Sequence, residues 1–266
     1  MSVNSYLSSV SNAAIVRDAE RESIKRSIST LKTRLNLHFY GQLSNHFIFG
    51  SYSRGTILPR NMDEKSDVDY MIIFKDSSNK PQTYLSQLRK FVEKYYSRSE
   101  IYQSNPTIVL SLKNIRFELV PAIDGLWTGL QIPAKASDYQ DWINTDPRDL
   151  NESLTQVNQS NNNLIKPLVR VFKYWNACSS YPFESYSLEK EIVHSGFAFR
   201  SLFGGQLKNY FYDFVGEISV GYFAAQWRKN AVERLKQIAA EAKSLEDQNY
   251  PYLAQAEIEK LLPAWG

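Results

Sequence analysis

The sequence predicts an α+β fold in two parts: a small mixed sheet with helices over residues 1–150, led by a long helix, and a helical C-terminal lobe over 151–266. Three observations predict it. Short apolar runs bounded by turn residues recur between His46 and Ile123, strand signals fade from about residue 135, and the segments after Asn163 carry apolar residues at helical spacing.

Past a polar start, Ala13 to Leu37 holds no glycine or proline, and Ile15, Ile24, Ile28, Leu31 and Leu35 recur at helical intervals among charges. That pattern predicts one amphipathic helix. HFIFGSY from His46 reads as a short strand entering a glycine turn, and DVDYMIIF (Asp67 to Phe74) as a strand ended by the turn-rich KDSSNKP. A helix follows from about Thr83 to Tyr96. The runs TIVLSL and IRFELVPAI, parted by Lys113-Asn114, form a β-hairpin, because asparagine tolerates the positive φ of a tight turn. Beyond the polar QVNQSNNN stretch (Gln156 to Asn163), four segments read as helical: LIKPLVRVFKYWNAC, SLEKEIVHSGFAFRSLF, the aromatic run from Phe211 through Trp227, and RLKQIAAEAKSLEDQ. Gly204-Gly205 reads as a helix terminus or turn.

Composition bounds the chemistry. The 266 residues are 43% hydrophobic, enough for a substantial core, and carry a net charge of only +3, so any polyanion must be met locally rather than by a whole-surface field. No stable duplex nucleic acid is expected as a partner. The single cysteine, Cys178, excludes an internal disulfide framework and a cysteine-rich zinc site. The first twenty residues lack the basic and then apolar run of a secretory signal, and no stretch reaches 18 uncharged apolar residues. A cytoplasmic protein without membrane insertion is expected.

The residues with chemical potential cluster around Gly50-Ser51-Tyr52-Ser53-Arg54-Gly55-Thr56 and Asp67-Val68-Asp69. On a strand, residues i and i+2 share a face about 6.6 to 6.8 Å apart. Asp67 and Asp69 therefore present two carboxylates side by side, while Val68, Tyr70 and Ile72 enter the core. Adjacent carboxylates repel unless a cation lies between them, and hard Mg²⁺, with its preference for oxygen and phosphate, suits the pair. A lone pair of this kind is equally compatible with a solvated strand end. The glycine turn offers backbone N–H groups and the Ser51 hydroxyl to a phosphate. Glu118, in the apolar IRFELVP, shares a face with Arg116 and Val120. It is either an ion-pair partner of Arg116 or, if the hairpin pairs beside the Asp67–Phe74 strand, the third carboxylate of a two-metal site.

GSYSRGT, then SDVDYMIIF, then FELVPAI resembles the polymerase β-type nucleotidyltransferase superfamily, and most closely its cGAS/DncV-like bacterial members (CD-NTases, the SMODS group). LVRVFKYWN (Leu168 to Asn176) and the ESYSLE run from Glu184 are similar to further signatures of that group, so the resemblance covers roughly residues 15 to 200. It implies a two-lobed polymerase β-like enzyme with a central cleft. Asp67, Asp69 and Glu118 would be the catalytic, metal-binding acids for two Mg²⁺ ions, with Mn²⁺ as the alternative. Gly50 and Ser51 would hold the triphosphate, and Lys173 and Ser185 would contact phosphates from the helical side. The family usually carries aspartate at the third acid position, where this chain has Glu118. The resemblance further implies template-independent synthesis of a cyclic or linear oligonucleotide signal from NTPs or dNTPs with release of pyrophosphate, in antiphage defence, with a downstream effector protein as partner. A linear DNA-like product, transfer of a single nucleotide to a protein, tRNA or small molecule, and a silent nucleotide sensor are the competing readings.

Accessory residues read more locally. Arg54 either meets phosphate or braces its loop. Tyr70, Tyr174 and Trp175 read as core, and His194 as a satisfied structural histidine.

Overall fold

The computed structural model describes residues 2–104, 106–125, 129–134, 141–197 and 205–265. It is mixed α+β, and it divides into two compact units that do not follow a single cut in the sequence: Arg17–Arg54 with Lys65–Asp149, and Met1–Val16 with Gly55–Glu64 and Leu150–Gly266. Where the sequence reading draws one boundary at 150/151, the helical unit also takes the first 16 residues and the segment 55–64.

The chain opens with a helix, α1 (Val3–Ala13), that the polar start concealed. Val3, Tyr6, Leu7 and Val10 are buried at spacings of three, four and seven, and the Ser2 side chain accepts from the Ser5 N–H as an N-cap. The expected continuous helix from Ala13 to Leu37 is thereby corrected. The chain breaks after α1, Ile15 is exposed in the break, and α2 (Asp18–His38) starts with Asp18 and Glu20 in its first turn, where the helix dipole favours acids.

In the sheet unit, α2 is followed by β1 (Leu43–Phe49), the short α3 (Gly50–Arg54), β2 (Asp67–Phe74), α4 (Pro81–Tyr95), β3 (Glu100–Ser104), β4 (Thr107–Ser111), β5 (Arg116–Gly125), β6 (Gly129–Pro133) and β7 (Trp142–Asn144). The strand order is β1-β2-β5-β4-β3, with β6 pairing β5 and β7 pairing β6. Strands β3, β6 and β7 go beyond the sequence reading. The expected hairpin is present as antiparallel β4 and β5. β2 and β5 run parallel, which a hairpin could not achieve; α4 and the β3–β4 pair supply the crossover between them. Val68, Tyr70, Ile72 and Phe74 turn to the face covered by helices: the Tyr70 hydroxyl meets His46 Nδ1 at 2.8 Å, His46 Nε2 meets Asn36 of α2 at 2.8 Å, and Phe74 packs on Phe39 and Tyr84. On the opposite face Met71, Ile73 and Ala122 make a smaller cluster with Phe47, Phe49, Leu130 and Ile132. The N-terminal ends of β2 and β5 extend this second face with charged residues.

The helical unit holds α5 (Asp149–Ser160), α6 (Ile165–Cys178), α7 (Ser185–His194), α8 (Leu207–Glu217), α9 (Gln226–Asp247) and α10 (Pro251–Glu259). α6 is buried on nearly every side, from Leu168 through Asn176, so it is the axis on which α1, α7 and α8 pack. The Tyr6 hydroxyl donates to the Leu262 carbonyl at 2.6 Å and the Tyr174 hydroxyl to the Pro263 carbonyl at 2.8 Å. Two expectations are corrected here. The polar stretch from Gln156 is helical as far as Ser160, then turns through Asn162 and Asn163 at positive φ, a conformation asparagine tolerates. The aromatic run from Phe211 to Trp227 is not one helix: α8 stops at Glu217, and Tyr222 and Phe223 are exposed. Gly204, and the 198–203 end of the SLEKEIVHSGFAFRSLF segment, lie outside the described residues.

Candidate active site

The parallel register of β2 and β5 builds the site. It pairs Asp67 with Arg116 and Asp69 with Glu118, and the next same-face pair, Met71 with Val120, begins the apolar floor. Two strands that are separate in sequence thus bring three acids and one guanidinium to one corner of the sheet. Asp67, Glu118 and Arg116 are each about three-quarters buried by side chain.

Arg116 organises the corner. Its Nη2 donates to Asp67 Oδ2 at 2.7 Å and to the Lys65 carbonyl at 2.8 Å, and lies 3.6 Å from Glu118 Oε1. Glu118 therefore stands beside Asp69, as the third-acid reading requires, and also near Arg116. Burial first, and the Asp67 charge second, push the Glu118 carboxyl up to about 7, against the opposing pull of Arg116. The unfolded chain holds this proton only below about pH 4.5, whereas the folded chain holds it up to about pH 7. The resulting stability is full below the lower value and lost as pH rises through the upper one. Melting in chelator between about pH 5 and about pH 8 should therefore lower the wild-type Tm by several degrees relative to Glu118→Gln. A constant difference between the two proteins contradicts the assignment.

Gly50 closes the corner from β1. Phe49 pairs with Asp69, so the chain leaves β1 directly against that carboxylate. Gly50 takes φ +68°, and a Cβ built there would lie 1.8 Å from Asp69 Oδ2 and 2.7 Å from Asp69 Cγ. No side chain fits without moving Asp69. We expect Gly50→Ala to lower the Tm by several degrees through the left-handed φ alone, and to cost about a hundredfold in any activity that needs Asp69 in place. A Gly50→Ala protein with wild-type turnover would remove Asp69 from the site.

Ser51 follows in α3, partly exposed, and the Ser53 hydroxyl returns to the Gly50 carbonyl at 2.8 Å. Arg54, at the end of α3, is buried. Lys173 and Ser185 belong to the helical unit. Ser185 opens α7. Lys173 is not a surface cation of α6: it is buried, with Nζ 3.2 Å from Glu189 Oε1, which also accepts from the Thr56 hydroxyl at 2.9 Å. Sequence reasoning missed this interior triad, although Glu189 falls on the buried face of α7 beside Leu188, Ile192 and Val193, and that spacing was visible. Tyr70, Tyr174 and Trp175 are core as expected, and exposed His194 is satisfied by the Lys190 carbonyl at 2.7 Å.

Among the described residues, no group of three or more His, Cys, Asp or Glu side chains is gathered as a metal cage. The donor set itself fits a hard divalent cation: three carboxylates on one face of the sheet, Asp69 beside Glu118 in register and Asp67 two residues earlier.

The chain shares its fold with the Bradyrhizobium diazoefficiens CD-NTase CdnG, solved in complex with GTP (TM-score 0.68, 10% identity, 97% of this chain and 98% of that one). It shares it also with the Vibrio cholerae cyclic AMP-GMP synthase DncV, solved with a linear intermediate (TM-score 0.66, 12% identity, 100% of this chain and 81% of that one). The chain belongs to the Second Messenger Oligonucleotide or Dinucleotide Synthetase (SMODS) domain family, whose model matches residues 1–158. A cyclic AMP-AMP-AMP synthase from an Acinetobacter species is 27% identical over 154 residues, covering 55% of this chain and 44% of that protein. The chain thus matches less than half the length of this curated relative.

Proposed function

We propose that this chain is a divalent-metal-dependent, template-independent nucleotidyltransferase that joins nucleotides from NTPs or dNTPs into a cyclic or linear oligonucleotide signal and releases pyrophosphate. The observation that carries the reading is the register placing Asp69 directly beside Glu118, with Asp67 two residues earlier on the same face. Family membership and the synthase names of its relatives support it. Asp67, Asp69 and Glu118 would hold the ions. When bound, two such ions lower the pKa of an attacking hydroxyl and neutralise the triphosphate and leaving pyrophosphate. Gly50 keeps the backbone tight against Asp69, which fixes that carboxylate's orientation, and the N–H groups opening α3 with the Ser51 hydroxyl orient the triphosphate. Ser185, which opens α7, is a candidate phosphate contact on the resemblance alone. For Lys173, the approach of its ammonium to Glu189 supports a bracing role, beside the phosphate contact that the resemblance implies. The product would act on a partner effector in antiphage signalling.

The test is direct. The full chain is incubated with Mg²⁺ or Mn²⁺ and the four NTPs, or the four dNTPs, and the products are resolved by mass spectrometry. An oligonucleotide with stoichiometric pyrophosphate is expected. Unchanged nucleotides under all metals would overturn the reading, and labelled nucleotide on a protein or tRNA would replace it with single-nucleotide transfer.

A further inference from the structure

The acid corner already contains a cation that the polymerisation reading does not use. Arg116 stands two residues before Glu118 on β5, opposite Asp67 in register. One nitrogen, Nη2, serves Asp67 Oδ2 at 2.7 Å and the Lys65 carbonyl at 2.8 Å, with Glu118 Oε1 at 3.6 Å. The guanidinium is not there to satisfy its own donors, since its buried Nε has no hydrogen-bond partner. It forgoes one donor to remain between the carboxylates, which points to charge as what holds it.

We infer that Arg116 is a tethered counter-cation that competes with divalent metal for Asp67 and Glu118, and so sets how strongly this site takes up a metal ion. The inference rests on the metal-holding role proposed above for Asp67, Asp69 and Glu118. Arginine suits such a task. It keeps its charge at every working pH, so it cannot yield by losing a proton as a lysine could. A metal ion entering the corner must therefore draw Asp67 away from a permanent positive charge. Three carboxylates with one guanidinium also leave a smaller negative surplus than three carboxylates alone, which weakens the pull on a dication. A purely bracing role for Arg116 predicts the opposite outcome: without the brace the acids would lose their positions and metal uptake would weaken.

The measurement is Mn²⁺ binding to the nucleotide-free full chain, followed by electron paramagnetic resonance of the free ion, for the wild type, Arg116→Gln and the double variant Asp67→Asn with Asp69→Asn. Arg116→Gln should bind Mn²⁺ at least about tenfold more tightly than the wild type, and the double variant should lose the site. Equal or weaker binding by Arg116→Gln, with binding still lost in the double variant, overturns the inference and leaves the metal site standing. Wild-type Mn²⁺ binding in the double variant overturns the site itself. If Arg116→Gln does not fold, Arg116→Met decides: it keeps an apolar stem of similar reach and removes the charge, so it must bind Mn²⁺ more tightly than the wild type, and failure to do so rejects the competition.

Discussion

Replacing Asp67 and Asp69 together by asparagine should abolish pyrophosphate release from nucleoside triphosphates, by at least about a thousandfold, in a protein that remains folded. Asparagine keeps the shape of each side chain and removes the charge, so β2 retains Val68, Tyr70 and Ile72 in the core and its parallel register with β5. The magnitude follows from the chemistry: bound divalent ions contribute several kcal/mol of charge stabilisation, and each 1.36 kcal/mol is a factor of about ten. Turnover within about tenfold of the wild type, in protein with an unchanged circular dichroism spectrum, would sink the assignment of these two acids.

The largest loss of stability is expected elsewhere, at Lys173→Met. The side chains of Lys173 and Glu189 are 6% and 1% exposed, and Glu189 Oε1 takes hydrogen bonds from both Lys173 and Thr56. Removing one partner of a buried ion pair leaves the other charge in the interior, at a typical loss of about 3 to 5 kcal/mol. For a chain of this length that corresponds to a fall in Tm of about 10 °C. Replacing the pair with Met at 173 and Leu at 189 should recover most of it, because two apolar groups leave no stranded charge. A Lys173→Met protein that melts within about 1 °C of the wild type, with weakened nucleotide binding, would return Lys173 to the role the family resemblance implies.

That residue shows where reading the sequence stops. A lysine on a helix otherwise rich in apolar groups reads as exposed, and its burial depends on a glutamate 16 positions later on another helix. The sheet corner was more legible, because a strand fixes which side chains share a face. Asp67 with Asp69, and Arg116 with Glu118, follow from period two alone, and the β2 span is the one the apolar run predicts. Their mutual register is a tertiary fact, as is the approach of Gly50 to Asp69 that makes glycine obligatory there. α1 was hidden because serines and asparagines dilute its apolar stripe, whereas the Phe211–Trp227 run misled in the other direction, its aromatic density masking a break after Glu217. Short strands such as β7, three residues with no buried position, carry too little pattern to be found.

The placement of α1 has a consequence for how the chain reaches this state. Tyr6 is hydrogen-bonded to a carbonyl 256 residues away, and Val3, Leu7 and Val10 belong to a core built from α6, α8 and α10. On the ribosome α1 therefore emerges with an apolar stripe whose native cover in α6, α8 and α10 is made only after the whole sheet unit. Contacts so distant in sequence are closed late and slowly. Arg17–Arg54 and Lys65–Asp149, by contrast, can pair their strands well before the last helices appear. The acid corner should thus mature ahead of the helical unit, and aggregation during expression should start from the uncovered first helix.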